Sequence, residues 1–321
     1  MIAVTGCTGF VGSRLGSALN DSGAVWVGIS RRPAAYPVRL VSDFGDFSAL
    51  TATVEGVDTI FHCAGYAHAF SSLSGDDAAL HWQINFEGTR NLVEAAGAAG
   101  VKHFVFLSSI KAMAEPGNAV VDESLIGEPA TAYGQAKLAA EAAVLEAGKR
   151  YGMHVVNLRL AMVYGFGGRG NLERMGRLVG RGVFPPLPET GNHRSLVHVD
   201  DVVAAMRLVA HDDRANGRTY IVAGQEAPSG RQLYDALRDA SGMPPCRWAV
   251  PEAALRLVAR IGDGLELVTR RRLPLDSEAL ERLLGSAWYS SALIERELGW
   301  RAKISLGEGL REMFGNASKR P

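Results

Sequence analysis

The chain has 321 residues, enough for a large core and one catalytic unit of two lobes. Lys+Arg and Asp+Glu both number 34, so bulk charge gives no argument for nucleic acid or an anionic membrane as partner. No apolar run reaches the length of a membrane span, Met1 leads straight into an apolar run, and Cys7, Cys63 and Cys246 are scattered without metal-ligand spacing. A cytoplasmic protein with reduced thiols, no metal and no membrane or nucleic-acid partner is expected.

Ile2-Ala3-Val4-Thr5 runs directly into Gly6-Cys7-Thr8-Gly9-Phe10-Val11-Gly12, glycines spaced three apart ahead of a helical pattern. This is the shape of a strand-turn-helix unit that grips a dinucleotide pyrophosphate. Gly6 permits the tight turn, Gly9 lets the backbone approach the phosphates, and Gly12 lets the helix pack closely on the strand. The helix start adds unpaired N–H groups and a positive dipole end, so Gly6, Thr8, Gly9, Phe10, Val11 and Gly12 are cofactor candidates. Val11 to Ser22 reads as the helix, with Gly23 as its stop. Val25 to Ile29 is a second buried strand, whose tip in such a unit meets the adenosine ribose. Here the tip is Ser30, followed by Arg31 and Arg32. An acidic residue would bind the free ribose hydroxyls of NAD, whereas two guanidinium groups suit the 2′-phosphate of NADP. NADP(H) is therefore favoured over NAD(H).

Asp46-Phe47 opens the next helix after a short third strand, a place for contacts with adenine. Asp58 to Gly65 is a fourth strand ending in Ala64 and Gly65, small enough for backbone approach to the cofactor; His62 reads as a packed strand histidine. Residues 78–100 form one long helical pattern, and Val101 to Leu107 is a fifth strand ending at Ser108-Ser109. Strands alternating with helices at this rhythm imply an α/β fold with a doubly wound parallel sheet, whose ligands sit at the carboxyl ends of the strands. Thr131-Ala132-Tyr133 then opens a helix that runs to about Lys149. Tyr133 and Lys137, four apart, project from one face of it. A tyrosine with a pKa of about 10 is a poor acid–base group at neutral pH, and a nearby ammonium and a cationic nicotinamide would lower that value. Ser109 is placed to hydrogen-bond a substrate hydroxyl or carbonyl and hold it against Tyr133.

Together, Thr5-Gly6-x-x-Gly9-x-x-Gly12, Asn85-x-x-Gly88-Thr89, Ser108-Ser109 and Tyr133-x-x-x-Lys137 resemble the extended short-chain dehydrogenase/reductase family. The resemblance continues through Leu158 to Gly165, Arg194 to Asp201 and Glu295 to Trp300, with departures at Leu160 and Phe166, where the family usually has proline. It implies a Rossmann domain over 1–165, to which 194–223 return, and a smaller, mostly helical substrate lobe over 166–193 and 224–321. It also implies a catalytic Ser109/Tyr133/Lys137 set, Val163 beside the cofactor, and a nucleoside-diphosphate sugar as substrate. Ser108, Asn171, Arg194 and Arg282 are the substrate-binding candidates. Family members commonly dimerise through the two long helices, here about 78–100 and 131–149, so a homodimer is expected. His68 and Lys111 fall at the same mouth without an assigned role.

Three reactions of the family compete. The 4,6-dehydratases carry acidic residues directly after the serine of the fifth strand, where this chain has Ile110-Lys111-Ala112-Met113. The 4-epimerases hold NAD and usually have Asp at the position of Ser30. A 4-ketoreductase needs only hydride delivery to C4 and a proton from Tyr133. Ser108-Ser109-Ile110-Lys111 and Asn192 to Val199 look like the branch that reduces UDP-4-keto-6-deoxy-N-acetylhexosamines for surface polysaccharides, which puts reduction slightly ahead of epimerisation. A rival of another class is a non-catalytic NADP-binding regulator; the presence of Ser109, Tyr133 and Lys137 speaks against it.

Overall fold

Among the described residues, nine strands organise the chain: β1 (Ile2–Thr5), β2 (Trp26–Ser30), β3 (Val38–Leu40), β4 (Thr59–His62), β5 (His103–Ser109), β6 (His154–Leu160), β7 (Met162–Tyr164), β8 (Leu196–His198) and β9 (Arg218–Val222). Seven of them form one wholly parallel sheet in the order β3-β2-β1-β4-β5-β6-β9, while β7 and β8 pair separately. The computed structural model describes residues 1–41, 43–66, 75–168, 170–269 and 277–315. The strand order reverses between β1 and β4, and at such a switch point an open α/β sheet leaves a crevice at its carboxyl edge. The expected α/β class and doubly wound parallel sheet are the observed ones.

The β-branched and aromatic runs of the strands are buried on both faces, because successive side chains point to opposite sides. On β5, Phe104 and Phe106 enter one core with Ile29, Ile60 and Val155, while Val105 and Leu107 enter the other with Val4, Phe61 and Val156. A third core of Tyr164, Met175, Leu233, Tyr234, Leu310 and Phe314 lies in the later part of the chain. Asp201 ties the C-terminal segment down, its carboxylate accepting from the N–H groups of Lys303 (2.9 Å) and Ile304 (3.1 Å).

Residues 78–100 are not one regular helix. An α-helix over Gly75–His81 widens into a π-helical turn over Trp82–Glu87 before an α-helix resumes over Gly88–Ala98. The wider turn accompanies an inward Asn85, 1% exposed, whose amide bonds both backbone groups of Tyr66 (N–H to Oδ1 2.8 Å, Nδ2 to the carbonyl 2.9 Å). Such π-turns recur at functional sites, and this one lies against the end of β4. Among the described residues, no helix is long and apolar enough to cross a membrane.

Candidate active site

The turn after β1 is built on close approaches that exclude side chains. Gly6 has φ +64°, and a Cβ on it would stand 2.6 Å from the backbone nitrogen of Ala64. A Cβ on Gly12 would stand 2.3 Å from the carbonyl oxygen of Gly6, which is the tight helix-on-strand packing that the spacing predicts. Gly9 is the N-cap of the helix Phe10–Asp21 and has no side-chain cap, so the first-turn N–H groups face outward as an anion site. A cavity of about 540 Å³ opens here, of the size that holds a cofactor. Gly6, Thr8 and Gly9 form one wall, Ser30 and Arg31 a second, and Ala64, Gly65 and Tyr66 a third.

Ser109, Tyr133 and Lys137, the trio expected to be catalytic, meet at the end of β5. Thr131 caps the helix Ala132–Tyr151 through the N–H of Gly134, which starts the helix so that Tyr133 lies beside Ser109. Burial raises the Tyr133 phenol above its usual value, and the neighbouring Ser109 hydroxyl opposes that. The cofactor-free protein therefore keeps the proton on Tyr133. One turn along, Lys137 is 4% exposed, donates from Nζ to the Leu107 carbonyl at 2.9 Å, and stands 4.6 Å from the Phe106 ring centroid. Burial pulls the Lys137 ammonium down to about 8, against the attraction of Glu141. A Cβ on Gly65 would lie 3.3 Å from Nζ, so the end of β4 and the ammonium share one space.

A model of the NAD dependent epimerase/dehydratase family matches residues 2–223. The chain belongs to that family. It is an extended short-chain dehydrogenase/reductase, an enzyme of an NAD-dependent family. It is 28% identical over 327 residues to a UDP-glucose 4-epimerase of Vibrio cholerae, covering 97% of this chain and 93% of that protein. It is 29% identical over 341 residues to a 3 beta-hydroxysteroid dehydrogenase/Delta 5-->4-isomerase of Mycobacterium tuberculosis (strain CDC 1551 / Oshkosh), covering 97% and 88%. Its fold matches that of MoeE5 in complex with UDP-glucose and NAD, with a TM-score of 0.77 at 25% identity over 99% of this chain and 98% of that one. The glycine cradle, where Cβ atoms at Gly6 and Gly12 would collide with backbone, and the buried Lys137 beside Gly65 fit the dinucleotide of this family.

Some expected contacts move. Asp46 uses its carboxylate to cap the next helix, accepting from Ala49 N–H at 3.0 Å, and Phe47 is 47% exposed; neither lines the cavity, whereas Asp43 and Phe44 do. Asp-Phe occurs twice at a spacing of three in Asp43-Phe44-Gly45-Asp46-Phe47, and the first copy, before the helix, is the one at the wall. Ser108 is 4% exposed and donates to Glu141, which also holds Arg159 at 2.7 Å. Its hydroxyl is fixed inside the protein by that bond. Phe10, Val11 and Gly12 back the turn and Val163 lies half-buried in β7; none lines the cavity. The Arg32 N–H donates to Ser30 Oγ at 3.2 Å, while its side chain is exposed outside the wall that Arg31 joins.

In the later part of the chain, Asn171 is the exposed first residue of the helix Asn171–Gly180. Arg194 donates from Nη1 to the Gly285 carbonyl at 3.1 Å and pairs with Ala287 in an isolated bridge. Arg282 lies on the helix Ser277–Leu284; its side chain, like all of His68, is outside the described residues. Two neighbours of the trio were missed. His81 sets its ring edge-on to Tyr133 at 5.5 Å between centroids, and Asn85 contacts that imidazole at 3.2 Å. The Asn85-x-x-Gly88-Thr89 motif marked the region but not the inward turn. His62 packs as expected of a strand histidine, between Thr5 (2.6 Å) and Thr89 (2.9 Å), and burial lowers its pKa to about 3, which keeps it neutral.

Proposed function

We propose that the protein is an NADP(H)-preferring 4-ketoreductase of a nucleoside-diphosphate 6-deoxy-4-keto-amino sugar. One observation carries the reductive direction: the tip of β2 contributes Ser30 and Arg31, and no carboxylate, to the cavity wall. A guanidinium there favours a 2′-phosphate, and NADPH is the usual donor for net reduction. The bound nicotinamide supplies the hydride. Ser109 holds the C4 oxygen, and Tyr133, kept protonated by its burial, gives it a proton. Lys137, held by the Leu107 carbonyl, compensates the phenolate left behind. Lys111, in place of an acid after Ser109, speaks against dehydration.

The second reading is a UDP-sugar 4-epimerase, favoured by the full-length similarity to the Vibrio cholerae protein. One experiment separates the two. Incubation with UDP-4-keto-6-deoxy-N-acetylglucosamine and NADPH should consume NADPH and yield the 6-deoxy sugar. No consumption, together with interconversion of UDP-N-acetylglucosamine and its C4 epimer on NAD, would overturn the reductase reading in favour of the epimerase.

A further inference from the structure

His81 touches Tyr133 and has no part in the proton transfer proposed above. It ends the helix Gly75–His81 where the π-helical turn Trp82–Glu87 begins, and it is buried. Its ring contacts two tyrosines. The Tyr66 centroid is at 4.9 Å, and the Tyr133 centroid is at 5.5 Å with the two ring planes 65° apart. An edge-on pair of this kind points the positive rim of one ring at the negative face of the other, so it favours an orientation as well as a distance.

The tautomer of that imidazole follows from Asn85. The Tyr66 N–H must donate, so the Asn85 atom 2.8 Å from it is the oxygen. The Tyr66 carbonyl must accept, so the atom 2.9 Å from it is the nitrogen. The amide thus has one orientation, and its second Nδ2 hydrogen is left for His81 Nδ1 at 3.2 Å. Nδ1 is the acceptor, and the proton of the neutral imidazole sits on Nε2. A proton added at Nδ1 would face the amide donor. Asn85 is itself tied to the end of β4, where a Cβ on Gly65 would stand 3.1 Å from its Oδ1 and 3.3 Å from Lys137 Nζ.

We propose that His81 is a positioning residue, an uncharged ring held by Asn85 that orients Tyr133 toward the reacting oxygen and acts only through the tyrosine hydroxyl. The inference rests on the reading of Tyr133 as proton carrier. A cation in this place would stabilise the phenolate and weaken Tyr133 as an acid. A side chain without the ring would leave the phenol room to tilt, and a misplaced reacting group loses rate rather than affinity.

The test is a double-mutant cycle in the full chain, with turnover of whichever of the two UDP-sugars above the wild type accepts as the assay, and nucleotide binding as the control for folding. His81→Asn keeps an acceptor close to the position of Nδ1 and removes the ring. His81→Phe keeps the ring and removes the acceptor, so its cost should appear in Tm. His81→Asn should lower kcat by about tenfold, the upper end of what an aromatic edge contact contributes, with KM for the sugar and Kd for the nucleotide within about twofold. His81→Phe should keep kcat within about threefold of the wild type. In a Tyr133→Phe background there is no hydroxyl to aim, and His81→Asn should cost less than about twofold more. An equal loss in both backgrounds, or a kcat that His81→Asn leaves unchanged, would overturn this inference alone. Turnover of neither sugar, or a wild type no faster than Tyr133→Phe, would overturn the reading of the site and this inference with it.

Discussion

The carbonyl oxygen of Lys111 lies 2.0 Å from where a Cβ on Gly134 would be built. This contact sets the distance between the end of β5 and the helix that carries Tyr133. The obstacle is backbone, held on its other side by the Lys111 N–H bond to Ser109, so it has no rotamer in which to yield. Gly134→Ala should push the helix away from Ser109. Overpacking of this kind destabilises by about 1 to 3 kcal/mol, and the turnover loss should exceed what the fall in Tm accounts for. A variant with native turnover and native Tm would show that the contact does not position the tyrosine.

Tyr133→Phe keeps the ring that packs against His81 and removes only the proton donor. Turnover should fall by about a thousandfold, the usual scale of a general acid, while cofactor affinity stays within a small factor. Because burial raises the phenol, reduction, which needs the protonated form, should hold its rate through neutral pH and decline only on the alkaline side. Oxidation of the corresponding alcohol needs the phenolate and should rise with pH. Steady-state rates in both directions across pH check both slopes; parallel profiles would contradict the assignment of Tyr133 as the proton carrier.

Lys137 makes a prediction about stability. Burial lowers its pKa from 10.5 to about 8 in the folded chain. Between those two values the unfolded chain holds the proton and the folded chain does not, so this group makes stability rise with pH. Below about 8 both states are charged, and its contribution is constant and unfavourable. Lys137→Met should therefore remove an upward component from the stability profile of the cofactor-free protein above that pH. Other groups titrate there too, so the measured quantity is the difference between variant and wild-type urea midpoints. A difference that does not change with pH would mean that Lys137 is not desolvated as the structure places it.

Patterns of glycine and hydrophobic alternation made the sheet and the cradle legible, because they follow from local chemistry. Gly6 and Gly12 are glycines for reasons of close approach, and Phe104 to Leu107 alternate between two cores as a doubly covered strand must. The Tyr133–Lys137 spacing placed both on one helical face. What sequence could not supply were choices decided by tertiary contact. Ser108 and Ser109 are chemically identical, and only Glu141 beneath the strand shows which of the two is already satisfied. Asp43-Phe44 and Asp46-Phe47 are the same dipeptide, separated in role by which aspartate caps a helix. The inward turn at Asn85 breaks a helical period that looks continuous, since its amide bonds Tyr66, in the segment that follows β4 nearly twenty residues earlier (about five helical turns in sequence).

Arg31 decides the cofactor question most directly. It lines the cavity at the tip of β2 next to Ser30, whose hydroxyl oxygen accepts the Arg32 N–H and leaves its own hydrogen to donate. A 2′-phosphate at that tip would receive a charge-assisted bond from the guanidinium, worth about 1.5 to 3 kcal/mol. Arg31→Ala should therefore weaken NADPH by about tenfold or more, and NADH, which lacks the phosphate, by no more than about twofold. Introducing the acid instead, as Ser30→Asp, should repel the 2′-phosphate and leave the ribose hydroxyls of NADH a good acceptor, so the preference inverts. Fluorescence titration of both nucleotides against the three proteins reads this out. If Arg31→Ala changes the two affinities by the same factor, the basic tip is a solvated turn, and the NADP preference, with the reductive direction built on it, does not stand.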